Sequence, residues 1–179
     1  MANCGSNTGN SMYKTISIGE KERWNNAMTI MKKLLESNLG LEDFQAAAIV
    51  GNMYAESRWN PTSYVASDAG QGQSGGLCQW HDGVNGNGRF TNLLNSAKSM
   101  NKTWQNIEVQ LSYLVSELNG TGQHSENAAL IALKKTSNIE DATVSFCTKF
   151  ERPKNAQARG RERITYSKQV LEKWNAQNN

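Results

Sequence analysis

The sequence is short of nearly every device that clamps a chain by chemistry rather than by packing. Its 179 residues include three cysteines, Cys4, Cys78 and Cys147, and two histidines. The cysteine count is odd and no Cys-x-x-Cys occurs, so neither a disulfide framework nor a zinc site is signalled. Buried or incidental thiols are the plain reading, and a Cys78–Cys147 bridge stays open. His81 and His124 lack a second ligand at metal-binding spacing, so no metal and no cofactor is expected. No run of ~18 apolar residues occurs, which argues against membrane insertion. Charge of one sign is scarce too. Nineteen Lys and Arg against sixteen Asp and Glu leave a net charge of +3, which excludes a polycationic nucleic-acid clamp and an acidic tail. The hydrophobic fraction is 37%, below the usual ~45–50%. Five Trp, five Tyr and four Phe nevertheless argue against disorder. The N-terminus has neither a basic start nor an apolar core, so it does not read as a secretory signal peptide. Residues 1–18 read as a flexible polar leader, and 19–179 as a single domain of ordinary size.

What is present is helical periodicity. Over Glu20–Asn38, Trp24, Ala27, Met28, Met31, Leu34 and Leu35 form one apolar stripe, and Gly40 supplies a stop. Glu42–Ser57 follows with Ala46, Ala47, Ala48 and Gly51, small residues that admit close neighbours, and reads as a central buried helix. Pro61 forbids its continuation. From Asn60 to Gly88 the helical period vanishes and seven glycines appear. This is turn chemistry with room for a short hairpin around Gly75–His81, and a loop of such length is uncommon unless it is functional. Helices resume at Phe90–Met100. Thr103 reads as the cap of a helix carrying Trp104, Ile107, Leu111, Leu114 and Leu118. Ser125–Lys135 is shorter. Ser137 and Glu140 read as a capping box for a helix with Ile139, Ala142, Phe146 and Phe150 inward, ended by Pro153. Ile164, Leu171 and Trp174 mark a last helix. The predicted class is mainly α, with a small β element.

Glu56 stands at the end of the central helix, just before the glycine-rich loop. Its helix neighbours at i−3 and i−4 are Met53 and Asn52, and Trp59 follows. Among apolar and aromatic groups a carboxyl is poorly solvated and keeps its proton, as a general acid must. The loop then delivers Gly75-Gly76-Leu77-Cys78-Gln79-Trp80, whose amide and indole suit a sugar. By itself a Glu at a helix end is more often a surface charge.

The order of the pieces carries more. Glu56-Ser57-Arg58-Trp59-Asn60-Pro61, followed after some twenty residues by Gly76-Leu77-Cys78-Gln79-Trp80, resembles goose-type lysozymes and lytic transglycosylases. Nearer still, the chain resembles the phage tail lysozyme family. The matching features are Ala48-Ile-Val-Gly51-Asn52-Met53, the Arg89-Phe90-x-x-Leu93 helix, Gln110-Leu-Ser-Tyr113-Leu, Glu117-Leu118 and Phe150-Glu151-Arg152-Pro153. The resemblance covers roughly 44–166.

It implies a lysozyme-like fold with the hairpin and long loop as one cleft wall, and a muramidase that cleaves the β-1,4 bond between N-acetylmuramic acid and N-acetylglucosamine in peptidoglycan. Glu56 would be the general acid. Ser57 would orient the Glu56 turn or a sugar group, Gln79 would line the cleft, and Trp80 and Tyr113 would contact sugar. Two-carboxylate hydrolysis needs a partner; the loop offers Asp68 and Asp82 as candidates, though both read first as turn residues, and many members of the superfamily that the chain resembles work with one glutamate. Glu151 reads either as a carboxylate near the cleft or, preferentially, as one half of an ion pair with Arg152 at a helix end. Two other outcomes stay open: a lytic transglycosylase that leaves a 1,6-anhydro sugar, and a catalytically silent wall-binding tail module. The implied partners are peptidoglycan and other phage tail proteins, with no nucleic acid. The implied location is a virion tail or the bacterial wall, after synthesis in the host cytoplasm. Eight basic residues against three acidic ones between 149 and 173 read as a solvated helix face or, secondarily, an attraction for anionic wall.

Overall fold

The computed structural model describes residues 13–67, 72–83 and 88–178. Seven α-helices and a three-stranded antiparallel sheet make up the described regular structure, apart from one π-helical turn. None of these helices is long and apolar enough to cross a membrane. Helix α1 (Glu20–Leu35) buries Ala27, Ile30, Met31 and Leu34, the stripe that the sequence periodicity marked. Helix α2 (Asp43–Ser57) opens on a capping box in which the Glu42 side chain accepts from the Gln45 backbone and Gln45 reaches back to the Glu42 N–H. Its residues Gln45 to Met53 are all buried, so it is the axis of the domain. Each fully buried Ile, Val or Met there contributes roughly 1.5–3 kcal/mol by leaving water.

Helix α2 stops abruptly. Arg58 and Trp59 both take left-handed φ values, +54° and +57°, a backbone region that costs non-glycine residues on the order of 1 kcal/mol or more. The turn is held by the burial of Trp59, whose indole N–H donates to the Val50 carbonyl at 2.7 Å. The chain then enters β1 (Tyr64–Val65), which pairs with β2 (Ser74–Gly75), itself paired with β3 (Trp80–His81). Gly76 opens the tight β2–β3 turn at φ +83°, and a Cβ there would lie 2.9 Å from the Gln110 side-chain oxygen. Only glycine meets both demands. Of the stretch expected as a leader, residues 1–12 lie outside the described residues. Residues 13–18 run beside β1: the Ile16 N–H donates to the Thr62 hydroxyl and Asn60 Nδ2 donates to the Ile16 carbonyl.

Helix α3 (Arg89–Ser99) follows. Helix α4 (Ile107–Asn119) starts later than its apolar pattern implies. Asn106, not Thr103, is the cap, because its side chain accepts from the Glu108 N–H; Trp104 is buried ahead of the helix. Helix α5 spans Asn127–Lys134. At α6 (Ile139–Phe146) the cap shifts by one residue from the expected Ser137 to Asn138, whose side chain accepts from the Asp141 N–H. Helix α6 runs on as a π-helical turn, Cys147–Glu151, closed by Arg152 at φ +50°. Helix α7 (Ala156–Asn178) lies across α2 and α6.

Candidate active site at the end of the central helix

Asn52 and Glu56 lie one turn apart on α2, on the face turned to α7. Asn52 is fully buried, and its amide donates to the Ala48 and Thr143 carbonyls. Its carbonyl oxygen accepts from Nη1 of Arg163 on α7, at 3.0 Å. The other arm of that guanidinium pairs with Glu56 Oε1. The Glu56 side chain is 21% exposed and that of Arg163 only 7%. Glu56 therefore rests against a cation, whereas the sequence led us to expect mainly apolar and aromatic surroundings. The difference arises from a residue 107 positions away, which no local pattern announces. Glu56 also lines a hollow of about 440 Å³ together with Tyr54, Arg58, Pro153, Arg159 and Tyr166. A hollow of similar size between Tyr13 and Trp104 has no carboxyl in its lining.

Ser57 is buried. Its hydroxyl lies 3.0 Å from both the Met53 and the Leu77 carbonyl oxygens, so it joins the end of α2 to the β2–β3 turn. Gln79 sits in that turn at φ +45°, half-buried, with its amide donating to the Gly76 and Ser63 carbonyls. Trp80 is fully buried and Tyr113 nearly so, ring against ring at 5.4 Å, so neither presents a face to solvent. Asp82 is buried and held by three hydrogen bonds: it accepts from the Thr91 N–H and hydroxyl and from Gln73. It thereby fastens the hairpin to the first turn of α3. Asp68 lies outside the described residues.

Several organising residues carried no role in the sequence reading. Gln110, fully buried, accepts from the Leu77 N–H and donates to the Pro61 and Trp104 carbonyls, fixing the turn from beneath. Glu117, also fully buried, accepts from the Trp80 indole at 2.8 Å and from both arms of Arg89 at 2.7 and 2.9 Å. Burial opposes the Arg89 charge, but that carboxylate holds its pKa above the ordinary value. The Arg89 guanidinium also sits 4.2 Å over the Phe150 ring.

The Glu151–Arg152 reading needs correction. Arg152 turns away to Glu126, which it grips with both nitrogens at 2.7 and 2.6 Å, and His124 joins them. Glu151 is thrown to the other side by the π-helical turn and the left-handed Arg152. Its Oε1 is sealed from solvent and has no hydrogen-bond partner. Burial pushes its pKa well up, and the neighbouring Glu56 charge pushes it further. The two cysteines once open to pairing, Cys78 and Cys147, are free and buried. Burial raises both thiols, Cys147 to about 11, so neither is a ready nucleophile. Among the described residues no group of His, Cys, Asp and Glu could hold a metal ion.

Comparison with curated proteins gives no match. The family comparison does: the model of the phage tail lysozymes matches residues 25–174. A match over so much of the chain, on a helical fold whose central helix carries Glu56 in its last turn beside a hollow, means that the chain belongs to the phage tail lysozyme family.

Proposed function

We propose that the protein is a muramidase that hydrolyses the β-1,4 bond between N-acetylmuramic acid and N-acetylglucosamine, with Glu56 as general acid. The family carries a lysozyme-like, peptidoglycan-degrading activity. The observation that supports Glu56 is its position: it ends the central helix and lines a hollow of about 440 Å³ between α2, Pro153 and α7. A carboxyl that is partly open to that hollow can reach a glycosidic oxygen, as a general acid must. Substrate entry would exclude water and set the glycan oxygen in competition with Arg163 for Glu56.

The remaining site residues take parts graded by their burial. Ser57 positions the Glu56 turn through Leu77. Gln79 is the hairpin side chain nearest to serving sugar, being half-buried. Trp80 and Tyr113 act from the core, by bracing the hairpin against α4 through Glu117. Asp82 is committed to α3, and Asp68 is kept as the candidate for activating water. The enzyme would work from a virion tail or after release at the wall, alongside other tail proteins.

The test is mass analysis of the fragments released from purified peptidoglycan. Fragments ending in a reducing muramic acid support hydrolysis. Fragments lighter by one water indicate attack by the muramic 6-hydroxyl and assign a transglycosylase instead. Binding to insoluble wall without any release indicates a silent wall-binding module.

A further inference from the structure

A second hollow, of about 320 Å³, opens beside the one that holds Glu56, and Tyr54 lines both. Its other walls are Glu20, Arg23 and Trp24 from α1, Trp59 from the turn after α2, and Gln169 from α7. A run of aromatic rings joins the two hollows. Tyr166, in the lining of the Glu56 hollow, packs on Tyr54 at 4.2 Å between ring centroids. Tyr54 packs on Trp59 at 4.6 Å, and Trp59 on Trp24 at 4.7 Å. Trp59 is pinned by its hydrogen bond to Val50, and the Lys173 ammonium sits 5.1 Å over the Trp24 ring, so this wall is fixed before anything binds. Arg23 breaks the order. It is half-buried, and its Nε is sealed from solvent with no hydrogen-bond partner. The buried arginines described above are paired, Arg89 with Glu117 and Arg163 with Glu56. An N–H left alone in this way is costly and uncommon. A guanidinium fork in an aromatic-walled hollow suits a planar anion, which it meets with two parallel hydrogen bonds.

We propose that this second hollow receives the acidic stem peptide that hangs from the muramic acid held beside Glu56, with Arg23 as the receptor of a stem carboxylate. The sugar rings of the glycan are neutral and give the Arg23 fork nothing to pair with. A stem carries carboxylates and, where it is not cross-linked, the amine of a diamino residue. Arg23 takes a carboxylate, Glu20 offers a charge for the amine, and the Tyr54, Trp59 and Trp24 rings cover the aliphatic parts. A turn of the long Arg23 side chain presents its Nε edge to the carboxylate and ends the isolation of that N–H. Each extended residue of a peptide spans about 3.3–3.6 Å, so the first few residues of a stem carry it past the Tyr54 ring. Arg23 touches no reacting atom; it sets which glycan is held. The inference rests on the reading of Glu56 as the acid, because that reading places the muramic acid in the adjoining hollow.

The test has a binding arm and a kinetic arm, both on the full chain. In the first, the arginine Nε–H resonances of the parent are followed by NMR against three probes: a free stem tripeptide, the same peptide with its carboxyls amidated, and glycan stripped of stems. The Arg23 signal is identified by its absence from the Arg23→Lys spectrum. It should move with the acidic peptide and stay in place with the other two. In the second arm, KM is measured on stem-bearing and on stripped glycan. The parent should favour the stem-bearing form, and Arg23→Gln should shrink that KM ratio by about tenfold, as loss of a charge-assisted pair does. Arg23→Lys, which keeps the charge without the fork, should recover part of the ratio, and it serves alone if the Gln variant does not fold. An Arg23 signal that ignores the acidic peptide, or answers the amidated peptide or the stripped glycan equally, overturns the proposal. So does a KM ratio that is the same in the parent and both variants. If the parent cleaves neither glycan, the muramidase reading fails while the peptide titration still decides the hollow.

Discussion

Arg163 does three things at once from a single buried position on α7. It neutralises Glu56, satisfies the Asn52 carbonyl oxygen, and opposes the negative charge that Glu151 would carry. Arg163→Ala should therefore cost about 1–3 kcal/mol, the usual penalty for leaving buried polar groups unpaired, read as a lower midpoint in urea unfolding. Arg163→Lys keeps the charge but not the fork that spans Asn52 and Glu56, and should recover only part of that loss. Asp82→Asn should lower the thermal midpoint, since Asp82 is tied to Thr91 and Gln73; the proposed water-activating role of Asp68 predicts that Asp68→Asn loses most of the wall-lytic rate. At this scale the sequence was informative where chemistry is local. The place of Glu56 at the end of the central helix, before a glycine-rich loop, and of Ser57 beside it, was legible. Arg163 was not, because its partners lie more than 100 residues away, and a lone arginine in a basic stretch looks like any solvated cation. Glu151 was misread because an acid next to an arginine suggests a pair, while the π-helical turn sends the two side chains apart.

The contact of α2 with α7 decides how closely Glu56 and Arg163 meet. A Cβ on Gly51 would fall 2.1 Å from the Ser167 hydroxyl oxygen and 2.6 Å from the Ser167 Cα. The two backbones are thus nearly in touch. Gly51→Ala should force the helices apart, costing about 1–3 kcal/mol as overpacking does. It should lower activity more than stability alone accounts for, since the Glu56–Arg163 pair spans the same seam; calorimetry and lysis rate measured on one sample check this. The helix pattern was largely readable, since α1 through α6 follow apolar stripes broken by glycine, proline or polar capping residues. The last helix was legible too, but its buried face was not. Its apolar Ile164, Leu171 and Trp174 are only partly buried, while the buried face is Gly160, Arg163, Ser167 and Val170. A seam this tight selects small residues and a paired cation rather than large apolar ones, so hydrophobic periodicity points to the wrong side.

For the whole molecule, charges are largely paired, some inside and many at the surface. Much of the basic excess between 149 and 173 is engaged: Arg152 on Glu126, Arg159 on Glu162, Arg163 on Glu56, Lys168 on Glu140, and Lys173 over the Trp24 ring. Glu126 and Glu151 then shape the response to pH in opposite directions. Burial would raise the Glu126 pKa, but the hydrogen bonds from Arg152 and His124 bring it below the ordinary value. The stability it supplies is present above the unfolded-state value of about 4.3 and is lost as pH falls through the lower folded value. Glu151 is raised by burial and by Glu56. Its contribution is full below about pH 4.3 and is lost as pH rises toward the folded value, since the unfolded chain then releases a proton that the folded one retains. The thermal midpoint of Glu151→Gln should therefore gain on that of the parent as pH rises from 4 to 8. A gap that stays constant would place no unusual proton on Glu151.

The central claim is that Glu56 supplies the proton for glycan cleavage. Glu56→Gln keeps a hydrogen bond to Arg163 within reach and removes the acid, so folding should survive while chemistry does not. The direct measurement is the initial rate at which parent and Glu56→Gln protein, matched in thermal midpoint, solubilise purified peptidoglycan. The account predicts a loss of at least about 100-fold, the lower end for a positioned acid. A variant that dissolves wall at the parent's rate would contradict it.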